Sequence, residues 1–189
     1  MSLRAKAEEW MRQLEARRPL LPLAPEGPAD RTADEAIGKL QAEAGDDPDA
    51  QAVVSGLLLW NGNLDRSHTI SQGIENPTGS YWHGIMHRME GDYWNSKYWF
   101  RRVGRHPAMS RLHDAARDLL ASFRPGAGAP EADRLIGKLA AAGEWEPFLF
   151  VDAVEAQVLG RGSDGARALL EELQHLEMSV LLKYCLERV

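Results

Sequence analysis

Apolar residues recur at helical spacing along nearly the whole chain, and no stretch of useful length alternates with the period of two that a strand requires. The periodic segments are bounded by residues that typically begin or end helices, such as the Asp47-Pro48 pair and Gly104. No internal repeat of roughly 30–45 residues is present, which disfavours a solenoid. The sequence therefore predicts an all-α fold, a single bundle of about seven to eight helices.

The longest predicted helix covers residues 48–74, where only Gly56 and Gly62 interrupt a helix-forming sequence. At 1.5 Å per residue this central helix would be about 40 Å long. A short turn follows, and Ser80 is the predicted cap of the next helix, residues 81–90. Because the turn is short, we expect the two helices to form an antiparallel hairpin.

Two loops stand out between the predicted helices. Residues 19–30 contain four prolines and predict an extended arm, which the sequence allows to lie on its own chain or on a neighbour. Residues 124–130 are rich in glycine and proline and mark a potential seam between two halves. The prediction is nevertheless one all-α domain over residues 1–189.

The composition excludes several classes of protein. The net charge of −6 argues against nucleic-acid binding over the whole surface, and a single cysteine rules out an intrachain disulfide. No apolar run approaches the roughly 20 residues of a membrane span. The charged N-terminus lacks the apolar centre of a signal peptide. We expect a soluble cytoplasmic protein, and the sequence leaves open whether it is a homodimer.

Residues 60–106 hold an unusual concentration of ring side chains: four of the six histidines, four of the six tryptophans and three of the four tyrosines. Because aromatic side chains bury a large area each, most of the tryptophans and tyrosines are expected to fill the core. The histidines need a separate explanation.

Helical geometry brings several of these polar residues together. Within the predicted central helix, Asp65 and His68 fall on one face, and His83, His87 and Glu90 lie within about 60° of one another on the next helix. In an antiparallel hairpin, the polar side chains of the two helices lie at a similar distance from the turn that joins them. Three imidazoles and two carboxylates are therefore expected to converge between the helices.

Two histidines one turn apart can bind one divalent ion, and a third ligand completes a site with an open position. We therefore expect His68, His83 and His87 to bind zinc, iron, manganese or nickel, with Glu90 as a fourth ligand or general base. Asp65 would orient a histidine or take part in catalysis. Two alternatives stay open, a buried network that only fixes the packing and a metal-free site using histidine as acid or base.

The segment after residue 92 is basic in an otherwise acidic chain. Lys97 and Arg101 are four residues apart, and Trp94 and Tyr98 lie beside them. These residue types bind small anions and flat rings by ion pairing and stacking, so we expect them to hold an anionic substrate. An ordinary exposed basic face explains the same pattern, and the track is too short for single-stranded nucleic acid.

The stretch Ser80–Trp99, S-Y-W-H-G-I-M-H-R-M-E-G-D-Y-W-N-S-K-Y-W, resembles the signature of an uncharacterised family of bacterial and fungal proteins. Residues Ser67–Gln72 resemble part of the same pattern, so the resemblance covers about residues 55–107. It implies no reaction or cofactor. It does imply that the histidine-bearing segment is the characteristic part of that family.

Two functions from different classes remain. In the first, the site between the helices 48–74 and 81–90 binds a divalent metal or a small anion, and a metal-activated water performs hydrolysis. In the second, the protein is a non-catalytic helical interaction module whose buried histidine and carboxylate cluster sets the packing of the helices.

Overall fold

In the computed structural model, which describes all residues from Met1 to Val189, the chain forms ten α-helices and no strand. The all-α prediction is confirmed, and the predicted number of seven to eight helices is too low. In chain order the helices are α1 (Leu3–Ala16), α2 (Arg31–Ala44), α3 (Pro48–Trp60), α4 (Leu64–Ser71), α5 (Pro77–Glu90), α6 (Tyr93–Val103), α7 (Pro107–Ser122), α8 (Glu131–Ala141), α9 (Pro147–Val158) and α10 (Asp164–Leu186).

The predicted central helix 48–74 is wrong, because the chain breaks between α3 and α4. Gly62 has a φ of 87°, a left-handed conformation that ends α3, and the side chain of Asn63 accepts a hydrogen bond of 3.1 Å from the backbone of Arg66 to begin α4. The two helices have 13 and 8 residues instead of one continuous rod. Residues on either side of the break therefore do not share one helical face.

Helix α5 begins earlier than predicted. Asn76 is its N-cap and accepts a hydrogen bond of 2.9 Å from the backbone of Gly79, and Pro77 occupies the first turn. Ser80, the predicted cap, lies inside the helix and is buried. The helix ends at Gly91, whose φ of 89° gives a left-handed C-cap.

The core is one connected cluster of 49 buried apolar residues, and α3, α5 and α10 contribute heavily to it. Trp60, Tyr81 and Trp82 are fully buried, as expected for core aromatics. Helix α3 is apolar on nearly every side, which is typical of a helix enclosed by others. None of the ten helices is both long enough and apolar enough to cross a membrane.

A buried ion pair joins α5 to α10. The Arg88 guanidinium donates to the Glu177 carboxylate at 2.5 Å, and neither side chain is exposed. Gln174 accepts from the same guanidinium, the Tyr81 hydroxyl donates to Glu177 at 3.3 Å, and the ring of Phe150 lies 4.4 Å from the guanidinium carbon. Burial and the neighbouring carboxylate raise the pKa of Tyr81 well above its ordinary value, so it remains a hydrogen-bond donor.

The proline-rich arm, residues 19–30, packs on its own chain near the break between α3 and α4. The backbone N–H of Ala29 donates to the carbonyl of Asn61 at 2.8 Å, and the Asn61 amide donates to the carbonyl of Asp30 at 2.8 Å. Arg17, just before the arm, donates to the Asn61 side chain at 2.7 Å. Leu21 and Leu23 of the arm are buried in the core. The arm therefore supports the region where the chain turns towards α4.

Candidate metal site between helices α4, α5 and α6

Three imidazoles converge where α4 packs on α5. His68 comes from α4, and His83 and His87 lie one turn apart on α5. One ligand nitrogen from each of the three lies within 4.8 Å of the others. The ring centroid of His68 is 4.7 Å from that of His83 and 5.3 Å from that of His87. This spacing is small enough for moderate side-chain adjustments to bring the three nitrogens onto one ion.

His83 is enclosed by rings. Its imidazole stacks on the indole of Trp99 with centroids 3.9 Å apart and planes at 15°, and only 2% of the residue is exposed. Its Nδ1 atom is buried without a hydrogen-bond partner. Burial, followed by the nearby charges of His87 and His68 in their protonated forms, lowers the pKa of His83 to about 3. The ring is therefore neutral at neutral pH, which is the form that binds metals.

His87 has partners on both ring nitrogens. Its Nδ1 atom lies 2.6 Å from the carboxylate of Glu90, and its Nε2 atom lies 3.2 Å from the side-chain nitrogen of Asn95. When Nδ1 carries the proton donated to Glu90, Nε2 has the only free lone pair of the ring, so it accepts from the Asn95 amide unless a metal ion takes the place of that contact. A carboxylate on the far nitrogen is the usual support of a metal-binding histidine, because it fixes the tautomer and the ring orientation.

Glu90 also belongs to a second acidic group. One ligand atom each from His87, Glu90 and Asp92 lie within 4.8 Å of one another, and both carboxylates are exposed. Asp92 already caps α6 by accepting a hydrogen bond of 3.1 Å from the backbone of Asn95. The buried histidine set is therefore the better enclosed of the two groups.

Asp65 lies near the cluster but touches none of its histidines through a hydrogen bond. Its side chain is exposed and has no hydrogen-bond partner, and only its backbone carbonyl accepts a bond, from Thr69. Together with Glu90 it lines a groove of about 300 Å³ between the proline-rich arm and α4. Asp65 therefore shares this groove with Glu90 and supports no histidine ring, and none of the three histidines lines the groove.

The sequence did not identify two residues that complete the site, Asn95 and Trp99. They lie four residues apart on α6 and face α5, and α6 is held there by the Ser96 hydroxyl, which donates to the carbonyl of Gly84 at 2.7 Å. Their spacing of four residues could have identified them, because it places Asn95 and Trp99 on one face of the helix. That face differs from the one bearing Trp94 and Tyr98.

The four predicted substrate-binding residues of α6 do not line one pocket. Lys97 forms an ion pair with Asp152 of α9, which neutralises its charge. Arg101 lies over the ring of Phe148, 5.7 Å from its centroid, and lines a groove that none of the other three reaches. Trp94 and Tyr98 form an exposed stack with centroids 6.4 Å apart.

No protein-family model matches the chain, and neither a curated protein nor a solved structure is significantly similar to it. The function must therefore be inferred from the geometry of the site itself.

Proposed function

We propose that the protein binds one divalent metal ion through His68, His83 and His87 and uses it to activate water for hydrolysis. The observation that carries this proposal is the convergence of three imidazole nitrogens within 4.8 Å of one another. Three histidine ligands with an open fourth position are a set that suits zinc, and iron, manganese and nickel also accept imidazole. A bound ion of this kind lowers the pKa of its water towards neutrality.

The buried Nδ1 atom of His83 supports a ligand in the cluster. A buried polar atom without a partner costs about 1–3 kcal/mol, and a network that served only to fix the packing would be expected to use it. An ion bound at Nδ1 would give this atom the partner that it lacks. The stacking of Trp99 on His83 also limits the positions that this ring can take.

The two carboxylates have different roles in this proposal. Glu90, whose carboxylate contacts the Nδ1 atom of His87, holds that ring in place instead of serving as a fourth ligand. Asp65 has a free carboxylate that lines the same groove as Glu90, and it is the candidate for accepting the proton of the attacking water. The substrate would approach along this groove, which adjoins the cluster at Glu90, the partner of His87.

Metal binding is tested by the stability it confers on protein that carries no tag and has been treated with a chelator. At a free ion concentration a hundredfold above its Kd, the parent should gain about 2.7 kcal/mol in free energy of unfolding. His83→Ala should gain nothing, and the control His113→Ala, outside the cluster, should gain as much as the parent. The gain is independent of the cost that the substitution itself imposes. If none of the four ions stabilises the parent, the protein has no such site.

Hydrolysis is tested separately with the metal-loaded protein and p-nitrophenyl acetate as a general probe. The loaded parent should hydrolyse it faster than the metal-free protein, and Asp65→Asn should lose about 100-fold or more of that rate while keeping the stabilisation by metal. A control, Glu75→Gln, changes another exposed carboxylate and should leave the rate unchanged. Equal rates with and without metal would contradict the hydrolytic part of the proposal.

A structural role for the cluster is the second candidate, and the complete hydrogen bonding of His87 favours it. If the cluster only fixes the packing of α5 on α6, His87→Ala should destabilise the protein by about 1–3 kcal/mol, and no ion should stabilise the parent. The same unfolding measurements therefore distinguish the two functions.

A further inference from the structure

A cavity of about 770 Å³ lies between α7, α8 and the loop that joins them, in a different part of the fold from the histidine cluster. Its basic lining residues come from all three segments: His113 and Arg117 from α7, Arg124 from the loop, and Arg134 and Lys138 from α8. On each helix these residues are four apart, so they lie on the faces that border the cavity.

The charge of this cavity is entirely of one sign. Four arginine and lysine side chains line it and no aspartate or glutamate does, although the whole chain has a net charge of −6. Such a concentration in an acidic protein produces a local positive potential that attracts anions.

Few of these cations have a counter-charge. The Arg124 guanidinium donates to the carbonyl of Phe123 at 3.1 Å, and that of Arg134 donates to the carbonyl of Ala129 at 2.5 Å. These bonds direct the two guanidinium groups towards the loop but neutralise neither. Arg117 pairs with Asp114, but both side chains are about two-thirds exposed, so that the pair contributes little.

Lys138 is exposed and forms neither a hydrogen bond nor an ion pair within the protein. The remaining walls of the cavity are small or apolar: Leu120, Ala121, Phe123, Pro125, Gly126, Gly137, Ala140, Ala141 and Ala142. At Gly137 a Cβ would lie 2.9 Å from the ring of Pro125, so that glycine allows the loop to close against α8. The site thus combines clustered positive charge with room for an apolar group.

We propose that this cavity binds a small organic anion with at least two negative charges on phosphate or carboxylate groups. Guanidinium groups pair with both kinds of oxyanion through two parallel hydrogen bonds, and Arg117 and Arg134 offer such donors from opposite sides. Binding would also relieve the repulsion among the unpaired cations. The volume exceeds that needed for one inorganic phosphate, and the apolar walls accommodate the organic part of the ligand.

The experiment is calorimetric titration of the full-length chain at low ionic strength with two probes, pyrophosphate and citrate. We expect saturable binding at one site per chain, with the affinity reduced about tenfold or more in Arg134→Gln and in Lys138→Gln. The control Arg167→Gln removes an exposed arginine of α10 that does not line the cavity and should bind as the parent does. Whichever probe binds with the higher affinity identifies the preferred group: phosphate for pyrophosphate, carboxylate for citrate.

Three results would overturn the proposal. The first is that neither probe binds, and the second is that Arg134→Gln and Lys138→Gln bind like the control. The third is that a single-stranded oligonucleotide binds more tightly than both probes and depends on the same two residues, which would make the surface a nucleic-acid site. Both substituted side chains are exposed, so the variants are expected to fold. The measurement uses metal-free protein and is independent of the histidine cluster.

Discussion

The imidazole of His83 is surrounded by rings instead of hydrogen-bond donors and acceptors. Trp99 stacks on it, and His87 lies nearly parallel with its centroid 4.7 Å away. His68 meets the His83 ring at an angle of 68°. An imidazole in such surroundings takes up a proton reluctantly, so that protons compete weakly with a cation for its nitrogen. This property makes the replacement of His83 the most informative test of metal binding by the cluster.

His106 shows how a buried histidine is satisfied without a ligand. Its Nδ1 atom accepts a hydrogen bond of 3.2 Å from the backbone of Ala108 and so caps α7, while its Nε2 atom lies 3.1 Å from the hydroxyl of Thr78. Since Nδ1 accepts, the proton is on Nε2 and is donated to Thr78. Burial, and next the charge of Arg188, lower the pKa of His106 to about 4.

His106 should make the protein less stable in mild acid. In the unfolded chain this histidine takes up a proton near pH 6.5, whereas in the folded protein it does so only near pH 4. The unfolded state therefore binds more protons in this window, and the free energy of unfolding falls as the pH decreases through it, by an amount on the order of 3 kcal/mol for this residue. Chemical unfolding at a series of pH values measures the fall.

The matched variants for this prediction are His106→Asn, which keeps a side chain suited to capping but does not titrate, and His113→Asn on the half-buried face of α7. The first should show a smaller loss of stability between neutral pH and pH 4 than the parent, although His83 still contributes to the loss. The second should behave as the parent does. An unchanged pH profile in His106→Asn would contradict the assignment.

At the scale of helices, the sequence predicted most segments but not the break between α3 and α4. Periodicity and caps identified the helices because local side-chain preferences decide them, as at Asp47 and Asp92, which cap α3 and α6. The break depends on a long-range contact: a Cβ on Gly62 would lie 2.6 Å from the carbonyl oxygen of Gly27 in the arm. A contact with a segment 35 residues away (62 minus 27) leaves no trace in helical periodicity.

Gly62→Ala distinguishes the broken helix from a continuous one by whether it lowers or raises the free energy of unfolding. In a continuous helix the alanine would stabilise the protein by up to about 1 kcal/mol. At a φ of 87° and against the arm, it should destabilise the protein by about 1–2 kcal/mol or more. The control Gly165→Ala lies in the first turn of α10, where the nearest atom to a Cβ is 3.7 Å away, and should be neutral or stabilising. Denaturant unfolding of the three proteins measures the difference.

The convergence of the histidines was predicted although the helix that led to it is not continuous. His83 and His87 share a face of α5 for the local reason given by their spacing, and His68 reaches them because α4 packs on α5 after the break. The roles of Asn95 and Trp99 depend on how α6 packs against α5, and Lys97 is neutralised by Asp152 from a distant helix. Partners of this kind follow from tertiary packing, which one sequence does not specify residue by residue.

At the scale of the whole molecule, the Arg88–Glu177 pair is a fully buried ion pair that links α5 to α10. Glu177→Gln should destabilise the protein by about 3–5 kcal/mol, because it leaves the fully buried guanidinium without a counter-charge. Replacing both residues with apolar ones, Arg88→Met with Glu177→Leu, should cost less than the single change. Thermal and denaturant unfolding provide both values.

The control for this prediction is an exposed pair, Lys6 and Glu43, which joins α1 to α2 at 2.7 Å. Glu43→Gln should change the free energy of unfolding by at most about 1 kcal/mol, because surface ion pairs contribute little. Equal effects of Glu43→Gln and Glu177→Gln would mean that the buried pair is not important for the stability of the fold.

The most direct test of the metal site is elemental analysis of protein purified without a histidine tag, before and after incubation with each ion. We predict close to one zinc, iron, manganese or nickel ion per chain in the parent and in His113→Ala, and none in His68→Ala, His83→Ala or His87→Ala. A parent that contains no ion even after incubation, or variants that retain it, would contradict the assignment of these three histidines as a metal site.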